Sequence, residues 1–151
     1  MTTTDQTTEK LFGKYHILGQ IGTTALATVY RALSPSGAEV ALKVPIAYFR
    51  LEPNLLENFQ RVIAKVQQLQ HPNIIATHGL ERDDESFAVV TDFTASPSLK
   101  TRKDEILQLN EVLHIVKEVA SAVDYAHQQD VIHRDLRPSN VFYDQHTGKV
   151  E

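Results

Sequence analysis

Toward the end of the sequence runs His133-Arg134-Asp135-Leu136-Arg137-Pro138-Ser139-Asn140. Asp135 and Asn140 stand five residues apart, with the cation Arg137 between them. Transfer of a phosphoryl group to a hydroxyl needs a carboxylate that can orient the hydroxyl and accept its proton. It also needs an amide oxygen close by to hold Mg²⁺. Asp135 and Asn140 have the chemistry for those two tasks, and Arg137 would put positive charge near a transferring phosphate. The plainer alternative is a polar loop that follows a helix in some unrelated domain. Either way, such a loop has to be positioned by its neighbours.

Upstream of it, Leu109, Val112, Leu113, Val116, Val119, Ala120 and Val123 lie three or four residues apart. That spacing predicts one helix with a broad apolar face, running to about Ala126-His127. Asn110 is a candidate N-cap. The charged stretch Thr101–Glu105 reads as a solvated helix or loop, and His114 and His127 as structural. After the loop, Val141-Phe142-Tyr143 reads as a strand, His146-Thr147-Gly148 as a turn, and Lys149-Val150-Glu151 as the start of another strand.

The first half has a different rhythm. Tyr15–Gly22, Thr28–Leu33 and Glu39–Val44 read as three strands joined by tight connections, with Ser34-Pro35-Ser36-Gly37 dense in turn formers. A helix follows, with Asn54 as N-cap and Glu57 completing a capping box. Its apolar stripe is Leu55, Phe59, Val62, Ile63, Val66 and Leu69. Ile74–Leu80 and Phe87–Phe93 are two more strands around the polar turn Glu81–Ser86. The expectation is an α+β fold: a five-stranded antiparallel sheet with one helix, then a long helix and the polar loop. Met1–Glu9 reads as a disordered leader. The divisions expected are 1–10, 11–95 and 96–151.

The loop His133–Asn140 resembles the catalytic loop of protein kinases, and the rest of the chain follows that family's order. The resemblance runs from about Tyr15 onward. It implies a small lobe with a helix of the αC type, then the first helices of the large lobe and the catalytic loop. It also implies ATP and Mg²⁺ as cofactors, and a kinase of the serine/threonine type, similar to bacterial ones. Asp135 becomes the base, Asn140 the Mg²⁺ ligand, and Lys43, in Val40-Ala41-Leu42-Lys43, the lysine on the α- and β-phosphates. Ile21 and Gly22 open the nucleotide loop. Val29 and Ala41 cover the adenine, Thr91 is the gatekeeper, Asp92 and Thr94 present hinge backbone, and Phe142 lies under the ring.

Two places depart from the family pattern. The nucleotide loop, G-x-G-x-x-G-x-V in the family, reads Gly22-Thr23-Thr24-Ala25-Leu26-Ala27-Thr28-Val29. Were left-handed backbone needed at Thr24, a β-branched residue there would cost about 1–2 kcal/mol. The helix glutamate that pairs with the lysine falls, counting nine residues back from His71, on Val62. If fully buried, that valine would contribute about 1.5–3 kcal/mol of apolar burial instead.

The 151 residues and 42% apolar content suit a globular protein, and a net charge of −4 without basic clusters does not suggest nucleic-acid or anionic-membrane binding. There is no cysteine, so no disulfide framework or thiolate zinc site. No apolar run reaches the length of a membrane helix, and no signal peptide is visible, so a cytoplasmic location is expected. Because the resemblance stops before a D-F-G segment, the isolated chain is expected to lack activity. The long helix is expected to expose apolar surface that could bind a partner chain. Three classes remain open: a kinase acting on protein substrates, a pseudokinase-like nucleotide-binding module, and an interaction fragment that binds neither nucleotide nor metal.

Overall fold

A computed structural model describes residues 10–24, 27–45, 53–83 and 86–151, with side chains in the first helix from Leu56 onward. The leader Met1–Glu9 and the side chain of the cap candidate Asn54 lie outside the described residues. The chain divides into two compact units, Met1–Ile63 with His78–Phe93, and Ala64–Thr77 with Thr94–Glu151.

The first unit is built on an antiparallel sheet. Its strands are β1 (Leu11–Phe12), β2 (Tyr15–Thr23), β3 (Ala27–Leu33), β4 (Glu39–Pro45), β5 (Thr77–Asp83) and β6 (Ser86–Asp92), in the order β1-β2-β3-β4-β6-β5. The short edge strand β1 makes six strands, one more than the sequence pattern suggested. It exists because Gly13 takes a φ of 53°, which folds Leu11–Phe12 back onto β2. A Cβ at Gly13 would fall 2.5 Å from the Glu81 carboxylate, so a larger residue would have to displace that side chain as well as adopt the positive φ.

Register explains the sheet's two faces. Residues paired across strands share a face. One face carries Tyr15, Ala32, Val40, Leu42, Ala88 and Val90, which with Phe12 form the buried core of this unit. The other carries the row Gly22, Val29, Lys43 and Val89 and the row Arg31, Ala41 and Thr91. Strand β4 is buried on both faces over Val40–Leu42, which is why its sequence is continuously apolar rather than alternating.

Helix α1 spans Pro53–Val66. It starts one residue before the expected cap, so Asn54 falls in the first turn, and proline at the first position suits a helix that needs no N–H there. Glu57 lies past the first turn and pairs with Arg61, one turn on, at 2.6 Å. Phe59 meets Phe87 of β6 with ring centroids 5.7 Å apart. Val62 is 55% exposed, so the apolar burial expected of it is not realised.

In the second unit, helix α2 spans Leu109–Gln128. Gln108 occupies the N-cap, and Asn110 lies in the first turn, where its Oδ1 accepts the Glu111 N–H at 2.9 Å. The helix buries Ile115, Ala122 and Ala126. Ile115 packs with Val141, Tyr143 and Val150, with Leu99 and Val119 against them. Leu109, Val112, Leu113 and Val116 stay exposed. The apolar stripe read from the sequence therefore mixes a buried row and a bare one. Before α2, a 3₁₀ turn covers Leu99–Arg102. Arg102 is not solvated as expected: it bonds Glu105 at 2.6 Å and Glu111 at 2.5 Å. No described helix is long and apolar enough to cross a membrane.

Candidate active site

The loop His133–Asn140 is held at both ends. Upstream, α2 ends at Gln128, and Asp130 just beyond it has a φ of 56°, the left-handed geometry common after a helix C-terminus. The Val131 N–H then returns to the Ala126 carbonyl at 2.9 Å. Downstream, Val141 is buried in the core of this unit. The Leu99 N–H donates to the Val141 carbonyl at 2.8 Å, and the Tyr143 N–H to the Pro97 carbonyl at 3.0 Å. In place of a continuous strand, residues 141–143 make single bridges, Ser98 with Phe142 and Tyr143 with Val150.

Between these anchors the loop is braced by its own polar groups. Asn140 Nδ2 donates to the Asp135 carbonyl at 2.8 Å and to the Asp135 carboxylate at 3.0 Å. Arg137 Nε faces the other carboxylate oxygen at 3.3 Å. The Asp135 N–H donates to His133 Nδ1 at 3.3 Å, and the Asn140 N–H to the Arg137 carbonyl at 2.8 Å. A 3₁₀ turn over Pro138–Asn140 sets that spacing. Arg134 takes a φ of 62°, uncommon for a residue with a Cβ and characteristic of constrained functional loops. Sequence patterns carry no signal for that strain, nor for His133 as the acceptor that fixes the Asp135 backbone.

The side chains suit the groups that the chemistry calls for. Asn140 spends its NH₂ on Asp135, and no described donor reaches its Oδ1. A hard cation takes that oxygen together with carboxylate oxygens. Asp135 remains exposed and able to accept a proton.

In the first unit, Gly22, Val29 and Lys43 stand side by side across β2, β3 and β4, and Ala41 pairs with Thr91. Ile21 is exposed at the end of β2. A Cβ at Gly22 would meet nothing within 4 Å, so the space beside it is open. Thr91 is buried, and its hydroxyl donates to the Asp92 carbonyl at 3.1 Å. The Asp92 carboxylate meets His78 Nε2 at 2.6 Å, a pair that the sequence reading missed because β5 and β6 bring together residues 14 apart. Thr94, which belongs to the second unit, accepts the Ser96 N–H on its Oγ1 at 3.3 Å.

No described carboxylate pairs with Lys43. Desolvation alone lowers its pKa from the ordinary 10.5. Water nevertheless reaches much of the side chain. Lys43 belongs to the first unit, and Asp135, Arg137 and Asn140 to the second.

The sequence pattern of the family described as "protein kinase domain" matches residues 15–151. This chain belongs to the protein kinase family. Among curated relatives, the serine/threonine-protein kinase PrkC of Bacillus subtilis is 30% identical over 146 residues, covering 95% of this chain and 22% of the relative. The serine/threonine-protein kinase PknI of Mycobacterium tuberculosis is 32% identical over 135 residues, covering 86% of this chain and 23% of PknI. The crystal structure of the PknI kinase domain superposes with a TM-score of 0.82 at 28% identity. That match covers 94% of this chain and 59% of the solved one. The chain thus has the kinase fold while spanning only part of its relatives' length.

Proposed function

We propose that this chain supplies the nucleotide-binding sheet and catalytic loop of a serine/threonine kinase that transfers the γ-phosphoryl group of ATP to a protein hydroxyl. The observation that carries this reading is the Asp135–Asn140–Arg137 cluster, with the amide turned so that its oxygen is available. In the reaction the substrate oxygen bonds to the γ-phosphorus as the bond to the ADP oxygen breaks. Asp135 orients the hydroxyl and takes its proton. Arg137 offsets charge on the phosphoryl oxygens, and Lys43 holds the α- and β-phosphates. Asn140, with a carboxylate, would hold Mg²⁺, which neutralises phosphate charge when bound.

Calorimetry of the purified chain with ATP, with and without Mg²⁺, tests this. Lys43→Met should weaken binding about tenfold or more, and Asn140→Ala should remove the Mg²⁺ dependence. ATP binding indifferent to both changes would sink the reading. The family draws its second metal ligand from a D-F-G segment, and no D-F-G occurs in these 151 residues. Transfer by these residues alone is therefore expected to be negligible. Turnover by the purified chain that disappears in Asp135→Asn would refute that.

A pseudokinase-like role, binding nucleotide without transfer, is the second reading. It is favoured by Lys43 having no carboxylate partner among the described residues and by the exposed Val62. A longer chain containing the D-F-G segment that binds Mg²⁺-ATP and transfers nothing would support it.

A further inference from the structure

The turn between β2 and β3 is fastened by Thr24. Its N–H donates to the Ala27 carbonyl at 2.8 Å. Its hydroxyl donates to the same carbonyl at 3.1 Å and accepts the Ala27 N–H at 3.0 Å. Just before it, Gln20 Nε2 donates to Thr23 Oγ1 at 2.8 Å. A side-chain oxygen thus takes the Ala27 N–H. Thr24 is not among the residues at positive φ, so the β-branched side chain sits here without the strain that left-handed backbone would impose.

Backbone N–H groups are what a phosphate-facing loop has to offer an anion. At Thr24 and Ala27, the two positions where the family carries glycine, both N–H groups are already bonded inside the turn. Neither glycine would provide a side-chain acceptor for the Ala27 N–H. We propose that Thr24 is a clasp that withholds the Ala27 amide from the phosphate tail of a bound nucleotide. Thr24 thereby sets how strongly the site distinguishes ATP from adenosine. The inference rests on the nucleotide-binding reading above and specifies its selectivity. Recognition is weighted toward the base and Lys43, with the loop contributing little.

The test compares the full chain with Thr24→Val, Thr24→Gly and Thr24→Ser. ATP and adenosine are titrated by calorimetry, and exchange of the Ala27 amide is followed by NMR. Valine keeps the shape and removes the hydroxyl, and glycine removes both. Either should speed Ala27 exchange and tighten ATP binding about three- to tenfold, the worth of one hydrogen bond, with adenosine unchanged. Serine keeps the hydroxyl and should behave as the parent. If ATP affinity is unmoved in valine and glycine variants, or moves together with adenosine, the clasp is overturned and the nucleotide reading stands. If no form binds either compound, the nucleotide reading falls and the clasp's selectivity with it.

Discussion

Lys43 has no partner carboxylate among the described residues, and the resemblance puts Val62 where the family supplies one. A buried valine there would have traded electrostatics for apolar burial. The structure exposes it over half its surface, so almost nothing is gained from burial. Val62→Glu should therefore change unfolding free energy by no more than about 0.5 kcal/mol, the usual range for a surface position. Urea denaturation checks this. A loss above about 1.5 kcal/mol would mean that the valine is packed in solution. At this scale residue types suggested the roles proposed for Asp135, Asn140, Arg137 and Lys43. They said nothing of the His78–Asp92 pair or of the Thr24 hydroxyl, because a partner is chosen by rotamer and proximity rather than by type.

Between elements, an ion pair at 2.5 Å joins the 3₁₀ turn at Leu99–Arg102 to the first turn of α2. Hydrogen bonds donated to Glu111 and Glu105 hold the Arg102 guanidinium well above its ordinary value. The bond from Arg102, aided by Gln145, lowers the Glu111 carboxyl from 4.5. Arg102 also lies over the Tyr143 ring at 5.9 Å, so the brace reaches the segment just after the catalytic loop. A carboxyl whose pKa falls on folding adds stability above its unfolded value and loses it as pH drops through its folded value. Acidification below about pH 4.5 should therefore weaken the protein. Glu111→Gln should be less stable at neutral pH and decline more shallowly with acid. Melting curves between about pH 3 and pH 7 test it, and parallel curves for the two proteins would rule the brace out. Charge along Thr101–Glu105 looked like a solvated face, since nothing local indicated that Glu111 would come within bonding distance.

For the whole molecule, a net charge of −4 favours solubility, while Leu113 and Val116 on α2 are 61% and 59% exposed, with Leu109 and Ile106 barer still. Exposed apolar surface on one helix favours association. The purified chain is expected to show a concentration-dependent size on a sizing column. Leu113→Lys should reduce that association and leave the helical circular dichroism unchanged. A monomer at every concentration would refute it. The sequence by itself determined the strand and helix order and the family, because those are written in residue type, period and spacing along the chain. Tertiary structure decided the rest: the edge strand that Gly13 folds back, the side of α2 that is buried, the exposure of Val62, and the bonding of Thr24 to Ala27. Each depends on which surfaces meet once the backbone is packed. An apolar stripe or a hydroxyl has the same one-dimensional pattern whether it finds a partner or faces water.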